Sequence, residues 1–154
     1  DLRYRQETFI MQTYETNSAD ETFALGEKMG RAAVKGETYA LLGDLGVGKT
    51  VFTQGFAHGL GITEPVNSPT FTILQVYDKG RIPLYHFDVY RIADPEEMFE
   101  IGFDDYISGD GVCLIEWANL IEEILPKNTR TIKIGKDRDR GFDYRRITLT
   151  DAEV

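Results

Sequence analysis

Residues 43–50 read Gly-Asp-Leu-Gly-Val-Gly-Lys-Thr, a complete G-x-x-x-x-G-K-T phosphate loop. No other feature narrows the fold so far, because such a loop works only between a buried strand and the first turn of a helix. Its glycines let several backbone N–H groups converge on a triphosphate, while the lysine reaches the β- and γ-phosphates and the threonine hydroxyl ligates Mg²⁺. The flanks supply that context. Residues 38–42 predict a buried strand, and residues 50–60 predict a helix closed by Gly61. Leu45, Gly46, Val47, Gly48, Lys49, Thr50 and Val51 are therefore the expected nucleotide-binding stretch, with Lys49 on the phosphates and Thr50 on the metal.

The remaining pattern is α/β. Residues 8–14 predict a first strand, and residues 18–35 a helix with Ser18 and Glu21 as its capping box and Gly36 as its stop. Two strands are expected at 70–78 and 82–88 around the turn at 78–81. Asp94 as N-cap with Pro95 at the first helical position opens a further helix. A short buried strand at 111–116, a helix at 119–125 ended by Pro126, and a hairpin of 131–134 with 146–150 complete the chain. The expected architecture is a P-loop NTPase three-layer fold, with a parallel core sheet and antiparallel edge strands, in one domain spanning residues 1–154.

The net charge of −9, from 17 basic and 26 acidic residues, argues against a protein that grips a polyanion over a broad face. The densest basic stretch, residues 133–146, is interleaved with Asp137, Asp139 and Asp143. Cys113, the one cysteine, lies in the apolar run Val112-Cys113-Leu114-Ile115 and is read as a core residue. With no disulfide framework, membrane-length apolar stretch or secretory signal pattern, a cytoplasmic location is expected, and no membrane association.

Hydrolysis needs a carboxylate near Mg²⁺ and a group that orients water. Two acids stand at the ends of apolar strands, where such groups belong: Glu116 after residues 112–115, and Asp88 after residues 82–87. Aspartate is usual at the first position, but a glutamate ligates Mg²⁺ directly or through water. Strand alternation puts His86, Asp88 and Tyr90 on one face. His86 reads as a structural hydrogen-bonding residue rather than a metal ligand, and His58 as a surface or structural one. Ser68 and Thr70, in Asn-Ser-Pro-Thr-Phe, occupy the place after the loop's helix where nucleotide switches sense the γ-phosphate. Trp117, the only tryptophan, is read either as a core or shielding residue or as a neighbour of the nucleotide. The absence of an Asn-Lys-x-Asp sequence favours adenine over guanine. Residues 137–140, Asp-Arg-Asp-Arg, carry arginines like a small kinase's lid, but acidic residues alternate with them. An ATPase, a small-molecule kinase and a non-hydrolysing ATP-sensing module all remain compatible with these residues.

Four motifs together resemble the bacterial TsaE family: Gly-Asp-Leu-Gly-x-Gly-Lys-Thr at 43–50, Asn-Ser-Pro-Thr-Phe-Thr at 67–72, His-x-Asp-x-Tyr-Arg at 86–91 and Leu-Ile-Glu-Trp at 114–117. The resemblance runs from about Ser18 to Thr150. It implies a small ATPase that uses ATP and Mg²⁺, hydrolyses weakly alone, and works with two paralogous partner proteins. That assembly places threonylcarbamoyl on adenosine 37 of tRNAs reading codons that begin with A, so tRNA is met through the partners. Carried over by motif, Lys49 holds the phosphates, Thr50 and Glu116 ligate Mg²⁺, and Asp88 supports the metal or the attacking water. Trp117 stands beside the site, and Ser68 and Thr70 form the switch-like segment. The base is expected between the turn at Ser18 and the terminal hairpin, with Tyr144 and Arg145 as candidates.

Overall fold

The computed structural model of the chain describes residues 11–44, 46–67 and 72–151. Leu45, Ser68 and Thr70 lie outside the described residues, as do the first residues of the strand expected at 8–14. In chain order the elements are β1 (Met11–Thr16), α1 (Ala19–Ala32), β2 (Thr38–Leu42), α2 (Lys49–Gly59), β3 (Leu74–Tyr77) and β4 (Leu84–Asp88). There follow α3 (Glu97–Glu100), α4 (Phe103–Ile107), β5 (Val112–Glu116), a 3-10 stretch (Ala118–Ile124), β6 (Arg130–Gly135), a 3-10 turn (Arg138–Arg140) and β7 (Arg145–Thr150).

All seven strands join one sheet in the order β1-β7-β6-β2-β5-β4-β3. The four central strands are parallel, whereas β1, β7 and β3 pair antiparallel at the two edges. The expected α/β class, parallel core and antiparallel edges are all present. Strand β2 is buried on both faces, as a central parallel strand must be, and reads Thr-Tyr-Ala-Leu-Leu without polar alternation.

One sheet face carries α1 and α2. Tyr39, Leu41, Leu84, Leu114, Ile132 and Ile147 point to them and meet Phe52, Phe56 and Met29 in the larger core. The two helices cross at glycines. A Cβ on Gly30 would lie 2.1 Å from the Phe56 carbonyl oxygen, and one on Gly55 2.1 Å from that of Phe23. Such spacing brings the helix backbones into direct contact. The opposite face carries α3, α4 and the 3-10 stretch over Ala40, Phe87, Cys113 and Ile115. Aromatic edges do the packing there, with Phe87 against Phe103 at 5.5 Å and Tyr85 against Tyr106 at 4.8 Å between ring centres.

Several local expectations shift. The Ser18 cap is present, its Oγ accepting the Glu21 amide at 3.1 Å, while the Glu21 carboxylate accepts the Asn17 amide at 3.1 Å. The helix, however, ends at Ala32 and not at 35. Gly36 belongs to the turn into β2, and its N–H is spent on the Gly111 carbonyl at 2.9 Å. Asp94 accepts the Glu96 amide at 3.0 Å, yet regular helix begins only at Glu97. The segment after β5 forms a 3-10 stretch, kinked at Ile121, in place of an α-helix. Ile121, at φ −126° and ψ 26°, lies outside helical geometry and divides the stretch into two short turns.

Candidate functional site

Parallel alignment brings the carboxyl ends of β2, β4 and β5 to one edge of the sheet. The phosphate loop follows β2, Asp88 ends β4 and Glu116 ends β5, with Asp88 and Glu116 directly paired in register. This is the edge where open α/β sheets bind ligands. A cleft of about 400 Å³ opens here, lined by Gly46, Gly48, Lys49, Thr50, Val51, Asp88, Glu116 and Trp117. Residues spread over 72 positions of sequence thus share one wall.

The loop is anchored at both sides. Val47 is 3% exposed and buries its side chain in the larger core. Gly48, at φ 103°, takes the left-handed conformation that a residue with a Cβ avoids, and it caps α2. The amides of the α2 N-terminus consequently face the cleft, where the helix dipole favours an anion. Lys49 is buried, and its Nζ lies 4.6 Å from the centre of the Trp117 ring. Trp117 itself stands at φ 62°, the one non-glycine with positive φ among the described residues. Left-handed backbone at a bulky residue costs about 1–3 kcal/mol and persists where the surroundings impose it. Here β5 ends, the 3-10 stretch begins, and the indole packs on Tyr90 at 4.8 Å.

The two carboxylates are held differently. Asp88 is half-buried and accepts the Tyr90 amide at 3.0 Å. Burial pushes its carboxyl upward from its ordinary value, and the Glu116 charge adds to this, while the Tyr90 amide, His86 and Lys49 oppose it. Glu116 is 4% exposed, and its Oε2 meets His86 Nε2 at 2.8 Å. The strand alternation expected for His86 and Asp88 is present, and it turns both toward the α1/α2 side.

A second hollow of about 120 Å³ adjoins the first, sharing Gly46, Gly48 and Val51 with it. Ser18, Ala19, Thr22, Asp143 and Arg145 complete its lining, which joins the turn before α1 to the terminal hairpin. Arg145 Nε donates to the Val47 carbonyl at 2.8 Å, and its Nη1 donates to the carbonyls of Phe142 and Tyr144 at 2.9 and 2.7 Å. Tyr144 is 2% exposed and lies behind this wall, its ring flanked by the Arg140 and Arg146 guanidinium groups. His58 is exposed and hydrogen-bonds Glu27 between α1 and α2, well away from the carboxylates in sequence and on the helix surface.

Thr50, Glu116 and Asp88 offer only hard oxygen donors, the chemistry Mg²⁺ selects. Among the described residues no three His, Cys, Asp or Glu side chains gather into a metal cage.

A family model described as "Threonylcarbamoyl adenosine biosynthesis protein TsaE" matches residues 16–147. The chain belongs to the TsaE family. A TsaE protein of Bacillus subtilis is 50% identical over 137 residues, covering 89% of this chain and 84% of that one. One from Treponema pallidum is 46% identical over 119 residues, covering 77% and 87% respectively. Both are named tRNA threonylcarbamoyladenosine biosynthesis proteins. A crystal structure of B. subtilis YdiB superposes with a TM-score of 0.80 at 44% identity, over 94% of this chain and 87% of that one.

Sequence reasoning found the loop, Asp88, Glu116 and Trp117 but missed what binds them together. The bond from His86 to Glu116, the Lys49 contact with Trp117 and the Arg145 clamp on Val47 all join residues at least 30 positions apart. Only the His86 bond had a signal, in strand alternation, and reading it required the register of β4 on β5.

Proposed function

We propose that this TsaE family member is the ATP-binding and ATP-hydrolysing subunit of tRNA threonylcarbamoyladenosine biosynthesis. The observation that carries the reading is the single cleft in which Lys49 and Thr50, at the amino end of α2, face Asp88 and Glu116 across the sheet edge. In this reading the amides from Gly46 to Val51 and the Lys49 ammonium take the phosphates. The adenine lies in the adjoining hollow between Ser18 and Arg145. Thr50 and Glu116 hold Mg²⁺, which when bound neutralises charge on the β- and γ-phosphates. Asp88 sits where it orients the attacking water or supports the metal shell. Trp117 covers the site from the 3-10 side and keeps Lys49 aimed along the cleft.

The acidic surface is consistent with a protein that leaves tRNA to its partners, the two paralogous proteins of the threonylcarbamoyl-transfer complex, in the cytoplasm. ATP turnover then drives a conformational step in that assembly. The test is phosphate release from ATP with Mg²⁺, with and without both partners, for the wild type, Lys49→Ala and Glu116→Ala. Release should rise with the partners and vanish in Lys49→Ala. Glu116→Ala should lose about a hundredfold in turnover while still binding ATP. Bound ATP with no phosphate under any condition would leave a sensor, and label passed to an acceptor other than water would make the protein a kinase.

A further inference from the structure

We infer that His86 is the positioning residue for Glu116, setting which carboxylate oxygen the cleft receives; this rests on the Mg²⁺–ATP reading of that cleft. Asp88 and Glu116 are register partners on β4 and β5, and His86 stands two residues before Asp88 on the same face. Glu116 is therefore the diagonal neighbour of His86, at a separation that long side chains bridge. The imidazole does so at 2.8 Å, with both side chains removed from water, at 0% and 5% exposure.

A glutamate at this position has one more rotatable bond than the aspartate usual there. Fixing such a chain costs more rotamer entropy than fixing an aspartate. Asp88 needs no outside help, because its own chain supplies the Tyr90 amide two residues on. Among the described residues no amide of its own strand is seen on the Glu116 carboxylate, and the neighbouring strand provides a donor. A carboxylate only accepts, so Nε2 is the nitrogen that donates. Nδ1 is buried without a partner among the described residues. With Oε2 tied to His86, Oε1 is the atom left to face Lys49 and Thr50.

Groups that hydrogen-bond a metal-ligating side chain change metal affinity by about 10–100-fold when removed. The test is Mn²⁺ binding, followed by its paramagnetic resonance, to the complex of the full chain with ATP. His86→Leu should weaken Mn²⁺ binding about tenfold or more, with ATP affinity in EDTA unchanged. His86→Gln, which returns an N–H at nearly the same reach, should restore binding to within about threefold of wild type. His86→Asn, polar but too short, should behave like His86→Leu and serves in its place if the leucine variant does not fold. Wild-type Mn²⁺ affinity in both His86→Leu and His86→Asn would overturn the inference alone. So would equal losses in the Gln, Asn and Leu variants that track the thermal midpoint. A wild-type chain that binds no ATP would overturn the site reading and this inference together.

Discussion

The layers on the two faces of the sheet are locked in different ways. Between α1 and α2 the packing is backbone on backbone, with Gly26, Gly30, Gly55 and Gly59 leaving no room for a methyl group, while Phe52 and Phe56 fill the space beneath them. Under α3, α4 and the 3-10 stretch it is side chain on side chain, with Phe87, Phe103 and Tyr106 meeting edge to face. The first arrangement fixes α2, whose amino end is the phosphate loop, against α1, whose amino end borders the second hollow. The second holds β4 and β5 in place while letting short, irregular elements run above them. The seam between α1 and α2 therefore fails when atoms are added, and the aromatic layer when they are removed.

The largest expected effect lies on the aromatic face. Phe87→Ala deletes a ring that is 0% exposed and should destabilise the fold by about 4 kcal/mol, read from the urea midpoint. A loss below 1 kcal/mol would mean that this face collapses freely and that the contrast is false. Next is the helix face. Gly55→Ala should cost about 3 kcal/mol by forcing α1 from α2, and ATP affinity should fall with it because the loop moves too. Unchanged ATP binding in a destabilised Gly55→Ala would show that the interlock stabilises the fold without positioning the site.

The effect that is smallest near neutral pH sharpens the aromatic side. Cys113 is 1% exposed, and burial pushes its thiol up to about 12 from an ordinary 9.0. The unfolded chain then gives up this proton before the folded one, so the contribution is complete below pH 9 and is lost as pH rises toward 12. The slope from this one group is at most about 1.4 kcal/mol per pH unit. Cys113→Ala should flatten the alkaline decline of the urea midpoint by that share. An identical decline in the variant would assign it to other groups, such as Tyr39, whose hydroxyl burial also pushes upward.

Much of this protein is written locally. The strand at residues 38–42, the loop, its helix and the Ser18 cap follow from short-range rules, because glycine geometry, capping oxygens and apolar runs act within a turn or two. Asp88 and Glu116 were legible for the same reason, as acids closing buried strands. Element ends were less so. Gly36 looks like a helix stop, but its N–H answers to Gly111, 75 positions away.

What only the tertiary structure decided is adjacency. Nothing in the chain order places β2 between β5 and β6, yet that order brings the loop, Asp88 and Glu116 to one edge. The glycines of α1 and α2 look like weak helix residues until the helices meet, and His86 looks isolated until β4 is set in register on β5. Local chemistry specifies which groups are present and which backbone they sit on. Distances across the sheet depend on pairings whose energy is shared among many strands, and no short stretch of sequence records them.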